Sequence, residues 1–464
     1  MRRAAVLLLA ALAPILAAAG PAAATERTET FRTGPVTVAG YEVLQKQLAG
    51  NLPKPTGDRF ITRMKVDVVD ADGTPVPIQR LMLHHIVFLN AGPAFGAKRD
   101  RTCGSFRMLD SRSEVPALAE RFYAAGEERL EMVLPPGYGY RSAAADQWLM
   151  TYMLMNHRAK ADTAYIQYTV TTDDSPSLTP VDPYWLDVRD CWSDPVYDVP
   201  GGGEPGATDV QTTTWRPPTA GRIVAGGGHV HGGGQELRLS QPGCGDRTLA
   251  SSRPTWGLPS HPFYNVKPVL HEPGPIAMSG FTTQQGFRVA AGEPVRFASV
   301  YDAERPHTRV MGIEIVYFAP DASATQPCAP LPTDVSTYAA GLPGRRAAPK
   351  VTVPLTGLDR RGRAVRIDGP PGRMRRVRGR GPVTVGVRDM RFSAPNLRVR
   401  PGARIRWRFG GPSLHDVTLA SGPRGFSSHH RDRGTFSQRL RKRGTYRLFC
   451  SLHPVAMTQR IVVR

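Results

Sequence analysis

Apolar and polar residues alternate in the manner of strands along many short stretches of this chain, among them 63–69, 165–170, 310–317 and 403–409. Successive side chains of a strand point to opposite faces, so a period of two predicts half-buried sheet. Helical periodicity is scarce, and 118–125 is one of the few stretches that carries it. Abundant Gly (47) and Pro (43) punctuate the strands. The pattern predicts an all-β chain of several sandwiches.

One stretch departs from this alternation. Arg2 and Arg3 precede an apolar run at 4–19 that ends in Pro21-Ala-Ala-Ala24, the form of a secretory signal cut before Thr25. No later stretch approaches the roughly 18 apolar residues of a spanning helix. The mature protein is therefore expected to be secreted, with no transmembrane segment.

The remaining residues exceed what one core supports, so several domains are expected. The Gly- and Pro-rich stretch 200–206 interrupts the strand pattern, and 327–380 is rich in Pro, Gly and Arg. These breaks divide the chain into a signal peptide (1–24), sandwiches at 30–195 and 207–330, a linker at 331–381 and a last sandwich at 382–464. Within the linker, 351–367 has strand-like alternation.

Charge splits unevenly along these pieces. Residues 341–464 hold 29 Lys+Arg against 5 Asp, a net of +24 in a chain of +21, which leaves the front at −3. Secretion removes the chain from most nucleic acid, so none is expected as a partner. The basic tail suits an acidic redox partner, an envelope surface, or this protein's own front half. Five cysteines are present, and if Cys450 is set aside, Cys103, Cys191, Cys244 and Cys328 allow three disulfide pairings. Domain order favours Cys103 with Cys191 and Cys244 with Cys328.

The tail carries the sharpest chemistry. His415 is followed much later by Cys450-Ser-Leu-His453-Pro-Val-Ala-Met457. A thiolate and an imidazole three residues apart reach one ion, a distant histidine completes a trigonal set, and methionine adds a weak axial thioether, a donor set that selects copper. Taken singly, each residue is as ordinary as a disulfide cysteine or a loop histidine. In this order, and with the framing segments 392–395, 399–402 and 405–407, they resemble the cupredoxin family of plastocyanin and azurin type over 382–464. That resemblance implies a Greek-key β-sandwich with a type 1 copper held by His415, Cys450, His453 and Met457.

The front half holds its own histidines. His84 and His85 are adjacent in an apolar strand, whereas His229 and His231 stand two apart between glycines. Residues two apart share a strand face about 7 Å from each other, but adjacent ones face opposite ways. Lone histidines are usually core or surface residues. His157 ends another apolar run and Met311 opens one, with His307 nearby. In order, these resemble the copper type II, ascorbate-dependent monooxygenases, the peptide-amidating and dopamine-hydroxylating family, over 63–320. The resemblance implies two jelly-roll-like sandwiches, with one type 2-like copper on His84, His85 and His157 that supplies an electron. A second, on His229, His231 and Met311, would be catalytic, binding dioxygen and attacking a substrate C–H bond. His307 is an extra candidate ligand or a hydrogen-bonding loop histidine.

Two departures qualify the likeness. Where the amidating branch has an arginine and a tyrosine that grip a substrate carboxylate, this chain has Gly227 and Ile315, so a peptidylglycine substrate is not expected. The combined reading is a secreted copper-dependent monooxygenase that hydroxylates a small organic molecule with dioxygen, fed by its own blue-copper domain. The alternative is a non-catalytic copper-binding or storage protein with an electron-transfer tail. A third, a structural envelope protein with vestigial sites, predicts no metal in the front half.

Overall fold

The structure, a computed structural model, describes residues 26–110, 113–189, 191–339, 341–342, 344–379 and 381–464, so the expected signal segment 1–24 lies outside the described residues. The chain is all-β: the helical elements among the described residues are the two short 3-10 turns Pro242–Cys244 and Pro262–Asn265. The stretch 310–317 is broken at Met311 into the strands His307–Val310 and Gly312–Pro320. The stretch 403–409 forms the strand Ala403–Phe409 as the alternation predicts.

In the front, a four-stranded sheet of Val43–Ala49, Trp148–Asn156, Leu81–Asn90 and Glu120–Gly126 packs on a ten-stranded sheet. Ile61, Val68, Phe88, Phe122, Trp148 and Tyr168 fill the space between them. The large sheet continues into the next segment, because Thr179–Asp187 pairs antiparallel with Gly312–Pro320, Asp182 lying opposite Phe318. A second four-stranded sheet, from Thr208–Trp215 to Arg247–Ser252, closes over that continuation around Trp215, Leu237, Phe297 and Phe318. Cys103–Cys191 and Cys244–Cys328 form the two disulfides, each closing a loop within one part of the front.

The helical periodicity of 118–125 does not give a helix. Glu120–Gly126 is a strand paired with Leu81–Asn90, and packing of Phe122 and Tyr123 in the core overrides the helix propensity of the alanines. Its charged residues survive burial by pairing: Arg101 and Tyr140 donate to Glu120, and Arg121 donates to Asp100 at 2.6 Å.

The tail is a two-sheet sandwich. Along Ala403–Phe409, Ile405, Trp407 and Phe409 point inward while Arg404, Arg406 and Arg408 face solvent, so the period of two places part of the basic surplus on the outer face. The stretch 331–381 contributes strands of its own: Ser336–Tyr338 extends the large sheet, and Leu355–Leu358 pairs with Ala364–Ile367.

Apolar packing seats the tail on the front. One continuous buried cluster runs from Val385, Trp407 and Leu448 of the tail to Met82, Met153, Met155 and Leu270 of the front. Burying each such side chain contributes about 1.5–3 kcal/mol, against about 0–1 kcal/mol for an exposed ion pair. Burial therefore outweighs the surface charge attraction that composition suggests.

Candidate metal centres

In the tail, His415 lies just before the strand Thr418–Ser421, and Cys450 begins the turn that leads into Thr458–Val463. The turn is closed by main-chain hydrogen bonds from His453 N–H to Cys450 C=O and from Met457 N–H to His453 C=O, both 3.0 Å. Cys450 Sγ lies 3.9 Å from His415 Nδ1 and 3.5 Å from His453 Nδ1, and the two nitrogens are 3.3 Å apart. A point equidistant from the corners of that triangle is about 2.1 Å from each, which matches metal bonds to imidazole and thiolate of roughly 2.0–2.3 Å. Cys450 and Met457 are fully buried. The donor set and its spacing fit a copper ion.

Burial, with Asp416 adding to it, pushes the Cys450 thiol well above its ordinary value, so the ion must displace a proton on binding. Burial and the neighbouring His415 pull His453 down to about 4, and burial lowers His415. Both imidazoles are thereby neutral and able to donate at neutral pH.

In the front, His84 occupies a β-bulge: Met153 pairs with His85 and Leu154 with Leu83, which leaves His84 as the extra residue. A bulge re-aims a side chain, and this one brings two adjacent histidines together, Nδ1 to Nδ1 at 3.2 Å. His229 is the last residue but one of the strand Gly221–Val230, and His231 follows the strand. Their ring centroids are 4.9 Å apart, and His231 is 5.0 Å from His84. Close glycines make this approach feasible. A Cβ at Gly126 would lie 2.3 Å from the His229 ring, and one at Gly233, where φ is +87°, would strike His307.

The structure thus gathers His84, His85, His229 and His231 into one cluster, with His271 joining at 5.0 Å from His84. His157 sits at its margin: its ring is 6.4 Å from that of His271, its Nδ1 is 3.1 Å from Pro268 C=O, and its Nε2 is buried without a partner. Met311 is buried beside His85 and His229 in a small cavity of about 40 Å³. The Tyr301 hydroxyl ties this region together, accepting from His231 N–H and donating to Met311 C=O. His307, the first residue of the strand His307–Val310, is buried and held by Glu272 at 2.8 Å, the arrangement of a hydrogen-bonding histidine.

Burial and the neighbouring imidazoles hold His84 and His231 well below the ordinary value, while burial alone leads in bringing His85 and His157 to about 4. His229 differs: burial pulls it down, but the Glu128 carboxylate at 2.9 Å outweighs this and raises it. His271, Glu127, Glu128 and Glu272 were not legible as site residues. A lone histidine in an irregular loop carries no spacing signal, and Glu127-Glu128 reads as a solvated turn although both are buried.

A cavity of about 240 Å³ lies between the front histidines and the tail. His84, His85, His231 and His271 line it from the front, Thr418, Phe449 and Ser451 from the tail. Arg309 spans the join. The His231 ring hydrogen-bonds its main chain, and its guanidinium donates to Asp194 at 2.5 Å and lies 3.6 Å from Asp416. Asp416 in turn accepts from Ser451 N–H (2.6 Å) and Oγ (2.7 Å), next to Cys450.

No family model matches the chain, and no curated protein matches it. Among solved structures, 18% of the chain is similar to 81% of an oxidized methionine-to-lysine variant of amicyanin, at 22% identity and a TM-score of 0.17. It is similar over the same share to 83% of a reduced proline-to-phenylalanine variant of amicyanin, at 25% identity and a TM-score of 0.17. Scores this low add no weight, and the copper reading of the tail rests on its donor geometry.

Proposed function

We propose that this protein is a secreted copper-dependent oxidoreductase in which the tail acts as a blue-copper electron carrier for the histidine centre of the front, and that the front is a monooxygenase. The carrying observation is that the front histidines line a cavity whose tail wall includes Phe449 and Ser451, the residues on either side of Cys450, and that Arg309 reaches from this cavity to Asp416 of the tail. The two disulfides suit an oxidising compartment outside the cytoplasm.

Bound copper would supply one-electron redox chemistry and dioxygen activation. The chain's part is to hold and connect. His415, Cys450, His453 and Met457 would hold the tail ion, and the buried imidazoles of the front, with His84, His85 and His231 held neutral by burial, offer lone pairs for the others. Inserting one oxygen atom into a C–H bond reduces the second atom of dioxygen to water, which takes two electrons and two protons from outside the substrate. An external one-electron donor acting twice through the tail meets that need. Met153, Met155, Leu270 and Val310 give the cavity apolar walls suited to a small organic substrate.

The departures at Gly227 and Ile315 favour a second reading, copper binding or storage without hydroxylation. The test is to load the mature protein with copper, reduce it and admit oxygen with candidate substrates. Oxygen uptake matched by hydroxylated product supports the monooxygenase. Reoxidation with no product supports storage.

A further inference from the structure

We propose that His84, Glu127 and His271 together hold a divalent transition-metal ion, copper(II) or zinc(II), in a mixed imidazole and carboxylate site. The inference rests on the reading of the front as a metal-binding region, and it draws His84 into a set different from the one its neighbours in sequence suggest.

Three segments distant in sequence deliver these donors. His84 comes from the bulge in Leu81–Asn90, Glu127 from the turn after Glu120–Gly126, and His271 from the loop after the 3-10 turn Pro262–Asn265. Glu127 Oε1 lies 2.5 Å from His271 Nε2 and 3.5 Å from His84 Nε2, and all three ligand atoms fall within 4.8 Å of one another. The other carboxylate oxygen is pinned by Gly274 N–H at 2.8 Å, which aims Oε1 at the two rings.

Such a convergence is poorly explained by folding alone. Glu127 is buried, and its ion-pair partners among the described residues are these two imidazoles, with no lysine or arginine. A buried carboxyl group in that position calls for a cation. An independent sign lies beside it: His231 Nε2 is buried and unpartnered, on a ring 5.0 Å from that of His84. The donor set also selects the ion. Two imidazoles with a hard carboxylate oxygen favour a divalent ion, whereas the thioether of Met311 near His229 suits copper(I).

His157 then takes a positioning role. Its Nδ1 meets Pro268 C=O on the loop that carries His271, so it braces that loop.

The experiment uses the full mature chain, stripped of metal and reloaded with copper(II) alone or zinc(II) alone, with metal counted per chain and the visible absorption of the tail recorded. Glu127→Gln and His271→Ala are expected to lose one front ion in at least one of the two arms, with the tail absorption of the copper(II) arm unchanged. His157→Ala is expected to weaken the ion less than either of these variants, because it removes a brace and not a donor. Wild-type binding in both the Glu127 and His271 variants, with metal still present in the front, overturns this site and leaves the oxidoreductase reading standing. A wild-type chain that takes metal in the tail alone overturns both. Because the variants can fail to fold, anomalous diffraction from the metal-loaded wild type decides independently. An ion bonded to Glu127 Oε1 supports the site, and an ion held by His84, His85 and His157 without Glu127 refutes it.

Discussion

Replacing Arg309 by methionine tests whether front and tail are joined in the way the structure implies. The guanidinium stands between two buried carboxylates, 2.5 Å from Asp194 and 3.6 Å from Asp416, and also donates to Ser428 C=O of the tail. Its main chain adopts φ +54°, a left-handed conformation that disfavours a side chain by roughly 1–2 kcal/mol and that the surrounding contacts must enforce. Methionine at the same φ keeps that strain and keeps the apolar stem, so the variant isolates the charge. Removing one partner of a buried ion pair costs about 3–5 kcal/mol. His430 moderates the loss, because it lies 3.8 Å from each carboxylate and is held down to about 4 by burial and by Arg309. Once the arginine is gone, the imidazole is free to take up a proton. The expected loss is therefore near the lower bound, about 3 kcal/mol. Urea unfolding of the full chain measures it, and Arg309→Met with Asp194→Asn should recover part of it. A loss below about 1 kcal/mol, typical of exposed pairs, would show that Arg309 does not bridge the two halves.

Three further outcomes follow from the same geometry. Cys450→Ser should remove the intense visible absorption of the copper(II)-loaded tail, as read by optical spectroscopy, because the thiolate is the source of the charge-transfer band. Met311→Ile should weaken copper(I) but not copper(II) in the front, measured by competition with a chromophoric copper(I) chelator. Glu314 is fully buried with neither oxygen hydrogen-bonded, and burial raises it from 4.5 to about 8. The native state keeps a proton that the unfolded chain releases, so this group's stability is full below about pH 4.5 and falls as pH rises towards 8. Glu314→Gln should therefore match the parent near pH 4.5 and exceed it by about 3 kcal/mol at pH 7 in chemical denaturation.

What the sequence reveals depends on whether the signal is local. Ile405, Trp407 and Phe409 alternate with arginines, so strand and facing are both readable, and Cys450, His453 and Met457 share one turn whose spacing alone suggests an ion. The meeting of His84 with His85 was implied by the family resemblance alone, and its cause was not readable from the residues. It depends on a bulge set by pairing with Trp148–Asn156, a long-range event that leaves no mark on the residues themselves. His271 and Glu127 are joined across 144 positions, beyond any motif. The tail's seat on Met82, Met153 and Met155 was hidden for another reason: a methionine buried between domains looks in sequence like any core residue, whereas the basic surplus is conspicuous and lies largely on the outer face.

The central claim is that the tail passes electrons to the histidine centre of its own chain. Flash reduction of the tail site in the copper-loaded intact protein, followed by the return of its visible absorption, tests this most directly. Transfer should be first order and independent of protein concentration. It should also be nearly insensitive to salt, since an apolar contact is not screened as a charged one is. A persistently reduced tail that yields its electron only to an added acceptor, or a rate that rises with protein concentration, would contradict the account.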